Sequence, residues 1–103
     1  MVPDLSKISG IGNYERRTEK ERELFFVKNK EDEEKVFLVV NKHTLELRCD
    51  NKLAELLKGK YESVMESRYF GRNGIELVPA GQLSDEETGD LIRLSYDLTK
   101  EDK

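Results

Sequence analysis

The sequence predicts an α+β domain built on an antiparallel β-sheet of about five strands. Three observations carry this. The apolar run Val36 to Val40 is followed, after Asn41, Lys42 and His43, by a clean alternation from Thr44 to Cys49. These are the signatures of a buried strand and a half-buried one. An amphipathic helical pattern begins directly after, at Asp50, and runs to Tyr61. Further on, Asn73-Gly74 marks a hairpin, and a second capped helix opens at Ser84. The stretch from 36 to 61 is the part around which the rest is organised.

The chain has 103 residues, the size of one domain, read here as residues 1–103 with a short N-terminal helix. Its charged fraction, 39%, exceeds its hydrophobic fraction, 36%, but the apolar residues are clustered and periodic, unlike those of a disordered chain. The net charge of −4 repels nucleic acid and anionic membrane at long range, so any such contact needs a local basic patch. The single cysteine, Cys49, has no partner for an intramolecular disulfide. No secretory signal and no apolar run of spanning length are present, so the expected compartment is the cytoplasm, with no membrane contact.

Taken in order, Asp4 can cap a short helix that Gly10 and Gly12 stop early. The fragment LSKISGIG resembles the turn of a helix-hairpin-helix DNA-binding motif. The following NYERRTEKERE lacks the apolar residues of a second packed helix, so a Gly-rich turn is the expected reading. Residues 13–23 mix four basic with four acidic side chains and predict a solvated lead-in loop, anchored by Tyr14. Residues 24–27 (LFFV) form a short strand, 28–34 a polar hairpin loop, and 36–40 a central strand buried on both faces. In the next strand Leu45, Leu47 and Cys49 face one side, and Thr44, Glu46 and Arg48 the other. These three strands read as a meander.

Asp50 is placed to cap the next helix, whose stripe Leu53, Leu56, Leu57 and Tyr61 is expected to pack on the sheet. On that reading Leu56→Asp unfolds the domain. A strand at 67–70, a turn at 71–74 and a returning strand at 75–78 follow, ended by Pro79, Ala80 and Gly81. Ser84 with Glu87 fits a capping box, and Thr88, Leu91, Ile92 and Ser95 share the buried face of the last helix. The final TKEDK is expected to fray.

The segments KVFLVV, LELRCDNKLAELLKGKYESV, SRYFGRNGIELV and LSDEETGDLIRLSYDL together resemble the MmcQ/YjbR family of small bacterial proteins. The likeness covers about residues 35–98 and includes the family's Ser-Tyr pair, here Ser95-Tyr96. It implies a two-layer domain with helices packed mainly on one face of the antiparallel sheet. It also implies a comparison with double-wing DNA-binding proteins. The chain departs from the family in a shorter N-terminal helix and in having no tryptophan near Gly74 and Ile75. A shortened helix leaves sheet surface that a homodimer could cover. The TfoX-type competence-regulator domain has a similar layout and is a less complete match.

For chemistry, one histidine and one cysteine do not make a metal site, and no metal or other cofactor is expected. His43 reads as an exposed turn residue and Cys49 as a buried core thiol. The acids at 31–34 lack the ligand spacing of a calcium loop, and GRNG at 71–74 lacks the length and the Lys-Ser/Thr of a P-loop. With no converging acid, base and nucleophile, an enzyme is not expected.

The candidate site is SRYFGRNG, residues 67–74. It sets Arg68 and Arg72 around Tyr69 and Phe70, and Arg48, with Lys42 and Lys52, can extend it. Arginine holds phosphate bidentately and an aromatic face stacks on a base, so Arg48, Arg68, Tyr69 and Arg72 form a candidate nucleic-acid surface. In the alternative arrangement Tyr69 or Phe70 packs inward and the arginines pair with Glu66 or Glu76. The sequence thus leaves two readings: a cytosolic binding domain that takes nucleic acid through this hairpin, or a protein-interaction or homodimerisation module.

Overall fold

The computed structural model describes residues 4–79 and 81–101. Six strands form one antiparallel sheet: β1 (Glu15–Glu19), β2 (Arg22–Lys28), β3 (Glu34–Val40), β4 (Leu45–Arg48), β5 (Val64–Ser67) and β6 (Gly71–Leu77), in the order β1-β2-β3-β4-β6-β5. Two helices, α1 (Asn51–Lys60) and α2 (Asp85–Lys100), cover one face. α2 lies on β2, β3 and β4, and α1 on β5 and β6. The α+β class and its antiparallel sheet are as expected, with six strands instead of five. No helix among the described residues is long and apolar enough to cross a membrane.

Alternation on each strand separates two rows of side chains. Phe25, Leu38, Leu47 and Ile75 are register partners, as are Val40, Leu45, Leu77 and Val64. Both rows belong to the core beneath the helices. Between them runs the other face: Arg17, Leu24, Val39, Glu46, Glu76 and Met65, paired in succession from β1 to β5. The central position expected for Val36–Val40 holds. Phe37, Leu38 and Val39 are fully buried, in the third strand of six.

Phe37 is the extra residue of a bulge, since Phe25 pairs with Leu38 and Phe26 with Val36. The bulge keeps Phe37 in the core against Tyr96, Phe25 and Tyr14. It also takes the carbonyl of Phe37 out of the ladder with β4, whose last pair is Leu38 with Leu47. The Ser95 hydroxyl closes the gap, donating to Phe37 O at 2.5 Å and accepting from Arg48 N–H at 2.8 Å. The Tyr96 hydroxyl donates to Asn13 O at 3.0 Å. The Ser-Tyr pair thus ties α2 to two strands and to the entering chain.

Several boundaries differ from expectation. Residues 15–19 are not a lead-in loop but the sixth strand, β1, exposed along its whole length. A fully exposed edge strand shows no apolar alternation, and its charges blunt the edge against further pairing. Lys20 turns it into β2 with a φ of 54°. Tyr14 does act as the anchor, 5.7 Å from the Phe25 ring. The N-terminal helix is a single 3-10 turn, Leu5–Lys7, capped by Asp4, and a strand follows where a helix-hairpin-helix would place its second helix. α2 continues through Thr99, which is buried and donates to Ser95 O, so Thr99 and Lys100 are not frayed. Ala80, expected in the turn after β6, and the last two residues lie outside the described residues.

α1 begins as expected, with Asp50 accepting from Leu53 N–H. Its packing is different. Ala54 is its buried residue, Leu53 and Leu57 are half-buried, and Leu56 is 67% exposed. Leu56 lies two residues, about 200°, round from Ala54, almost opposite the sheet. The earlier expectation for Leu56→Asp is therefore reversed. A change within about 0.5 kcal/mol is expected, as for other surface positions. A urea melt showing a loss above 2 kcal/mol would contradict this placement.

Candidate functional site

The residues singled out at 67–74 sit at the β5–β6 hairpin, on the face that the helices leave open. The turn itself is Arg68, Tyr69 and Phe70, not Gly71 to Gly74. Gly71, with φ of +63°, is the left-handed residue that returns the chain. Asn73 and Gly74 belong to β6. Gly74 serves another purpose: a Cβ there would lie 2.5 Å from Phe70 Cβ and 2.6 Å from Leu47 O. Phe70 rests on the bare backbone of the strand. Gly74→Ala is expected to cost about 1–3 kcal/mol by overpacking and to displace the tip. Unchanged amide chemical shifts at 67–70 in that variant would rule this out.

Glu46 organises the tip. Its side chain is 2% exposed, although it lies on the face away from the core. Ser67 Oγ and Tyr69 N–H donate to its Oε1 at 2.9 and 2.8 Å, and Asn41 Nδ2 to its Oε2 at 2.8 Å. Ser67 Oγ also accepts from Phe70 N–H at 2.9 Å. Burial pushes the Glu46 carboxyl up. The Asn41, Tyr69 and Ser67 donors and the nearby Arg68 charge outweigh it, and the group stays below the usual glutamate range.

Glu76 stands directly opposite Glu46 across β4 and β6. Like charges so placed repel. Arg68 offsets this with a bidentate grip on Glu76, Nε to Oε1 at 3.0 Å and Nη2 to Oε2 at 2.9 Å, and Thr44 Oγ1 donates to Oε2 at 2.7 Å. Those hydrogen bonds to Glu76 raise the Arg68 pKa.

The four predicted residues are thus partly brought together. Arg68 and Tyr69 share the tip, Tyr69 is 42% exposed, and Arg72 is exposed just beyond it. Arg48 is half-buried, opposite Gly74, with its backbone N–H turned to Ser95. Lys52 belongs to α1 on the other layer. Of the two acids proposed as arginine partners, Glu76 takes Arg68, whereas Glu66 faces Lys58 at 3.7 Å.

The sequence did not single out the groove beside the tip. About 830 Å³ in volume, it is bordered by the β1–β2 turn with Lys20 and Arg22, the β3–β4 turn with Asn41 and Lys42, and Tyr69 and Arg68. The Arg22 guanidinium lies 5.5 Å from the Tyr69 ring centroid and also pairs with Glu19 at 2.7 Å. The groove adjoins Glu46, which in the sequence is only a glutamate between Leu45 and Leu47; alternation alone assigns such a residue to solvent.

Cys49 is buried, and burial foremost, with Asp50 beside it, pushes its thiol up to about 11. It is a protonated core residue at neutral pH. His43 is exposed in its turn, as expected.

Fold and site together define a small α+β domain with a half-covered antiparallel sheet and an arginine-tyrosine tip on its open face. No protein-family model matches the chain, and no curated protein sequence matches it. Among solved structures it is similar to the crystal structure of Deinococcus radiodurans protein DR2400, which carries the domain DUF419. The TM-score is 0.73 at 18% identity, over 90% of this chain and 72% of that one. At that identity the likeness shows the fold alone. DUF419 is a domain of unknown function related to the YjbR/MmcQ fold.

Proposed function

We propose that the chain is a YjbR-like, non-enzymatic binding domain of the cytoplasm, which recognises a protein through the tip formed by Arg68, Tyr69 and Arg72. One observation carries this reading. Glu46 and Ser67 hold the backbone N–H groups of Tyr69 and Phe70, so the tip backbone that carries Tyr69 is pre-ordered, and Arg72 follows on the strand β6. Pre-ordering of this kind lowers the entropy cost of binding, and tyrosine and arginine are the residue types that dominate protein interfaces. The charge at the tip favours a protein over a nucleic acid. Arg68 is neutralised by Glu76, Glu46 adds a negative charge beneath, and the net charge is −4. Nucleic acid is the second reading, supported by Lys20 and Lys42, which border the groove with no ion-pair partner among the described residues.

The two readings separate in one set of measurements. Affinity capture from source-cell extract is compared between wild type, Tyr69→Ala and Arg72→Ala, alongside fluorescence anisotropy with single- and double-stranded DNA and RNA at low salt. The protein reading expects a partner retained by wild type and lost by both variants, with no anisotropy change. Salt-sensitive nucleic-acid binding that falls in the same variants would replace it with the second reading. Capture indifferent to both substitutions would sink the tip as the binding surface.

A further inference from the structure

We infer that the cleft between α1 and α2, on the layer opposite the tip, is a docking groove for a basic amphipathic helix of a partner protein. The two helices lie on different parts of the sheet, α1 on β5 and β6 and α2 on β2, β3 and β4. A groove of about 590 Å³ runs between them. Leu57, Tyr61, Leu91 and Leu94 line it, and all four are half-buried, not sealed into the core. Of the apolar stripe expected to cover the sheet, Leu57 and Tyr61 border this cleft, while Ala54 is the residue of α1 that is buried.

Charge specifies the occupant. Of the four charged side chains around the groove, Glu87, Asp90 and Asp97 are acidic and only Arg93 is basic. Arg93 is itself turned toward Asp97, at 3.9 Å. A row of leucines bordered by acids fits a helix that presents apolar residues at i, i+3, i+4 and i+7 with lysine or arginine beside them. The long wall is α2, whose lining residues run from Glu87 to Asp97, about 15 Å of helix, enough for some three turns of such a helix; α1 closes the other side with Leu57 and its C-cap Tyr61. The groove does not depend on the tip and is separable from it.

The test uses the intact domain and a designed probe: an amphipathic helical peptide of leucine and lysine about 14 residues long, beside the same peptide with glutamate for lysine. Titration is followed by amide chemical shifts. The leucine-lysine peptide is expected to perturb Leu57, Tyr61, Leu91 and Leu94. Its affinity should fall about tenfold in the double variant Asp90→Lys, Asp97→Lys, whose sites are exposed and leave the core intact. Arg68→Ala should leave the affinity unchanged. Equal binding of the glutamate peptide, shifts confined to the open sheet face, no binding, or a dimer of this chain that buries the cleft would each overturn the inference.

Discussion

Phe37→Ala is expected to lower stability by about 3–5 kcal/mol, the range for removing a fully buried phenylalanine. Phe37 has no exposed surface, and its ring meets Tyr96 edge-on at 5.1 Å and Phe25 at 6.4 Å between centroids. It also occupies the bulge whose carbonyl takes the Ser95 hydroxyl. The strand, α2 and the N-terminal chain meet at this side chain, so the cavity cannot collapse without moving one of them. In a domain of this size the melting temperature should drop by at least about 12 °C. Phe26, half-buried on the other face under the Arg17 guanidinium, is the control and should cost much less when replaced by alanine. Similar losses for the two variants, read by thermal circular dichroism, would remove Phe37 from this role.

Glu46→Leu is expected to cost about 3 kcal/mol or more. It leaves Asn41 Nδ2, Ser67 Oγ and Tyr69 N–H without their acceptor, at roughly 1–3 kcal/mol for each donor that stays buried. The same carboxylate should leave a mark on the pH dependence. Its pKa in the folded protein is below the ordinary value, with burial opposing and the donors and Arg68 prevailing. A group with a lowered folded pKa stabilises the fold above its unfolded pKa, about 4.3 for glutamate, and that contribution fades as pH falls through the folded value. Wild type should therefore lose stability below about pH 4.3 more steeply than Glu46→Gln, which carries no charge at that position. Urea midpoints at pH 7 and pH 3 decide it: an equal loss in both proteins would mean that Glu46 does not supply the acid sensitivity.

The tip was legible as a place but not as a geometry. Arginine, tyrosine and glycine at 67–74 marked it, and Glu76 was foreseen as a partner for an arginine. What escaped was Glu46, because strand alternation assigns it to solvent while the folded hairpin covers it. The turn was misplaced for a related reason. Asn73-Gly74 carries the usual hairpin signal, yet Gly74 is there for the approach of Phe70, and Gly71 makes the turn. A glycine states that something is close or left-handed without saying which.

Local chemistry determined much of this protein before any tertiary contact. The Asp50 and Ser84 caps, the buried strand at 36–40, the alternation at 45–48 and the inward Cys49 all depend on neighbours within a few residues, and the sequence shows those neighbours directly. Tertiary structure alone decided the rest. β1 exists because β2 offers it a hydrogen-bonding edge, and no periodicity of its own announces it. Leu56 lies outside because Ala54, a smaller residue on the opposite side of α1, lets the helix seat closely on the sheet. Ser95 counts because a bulge elsewhere in the chain leaves a carbonyl and an N–H unpaired in front of it. Each is set by what long-range pairing brings opposite a residue, which local periodicity does not encode.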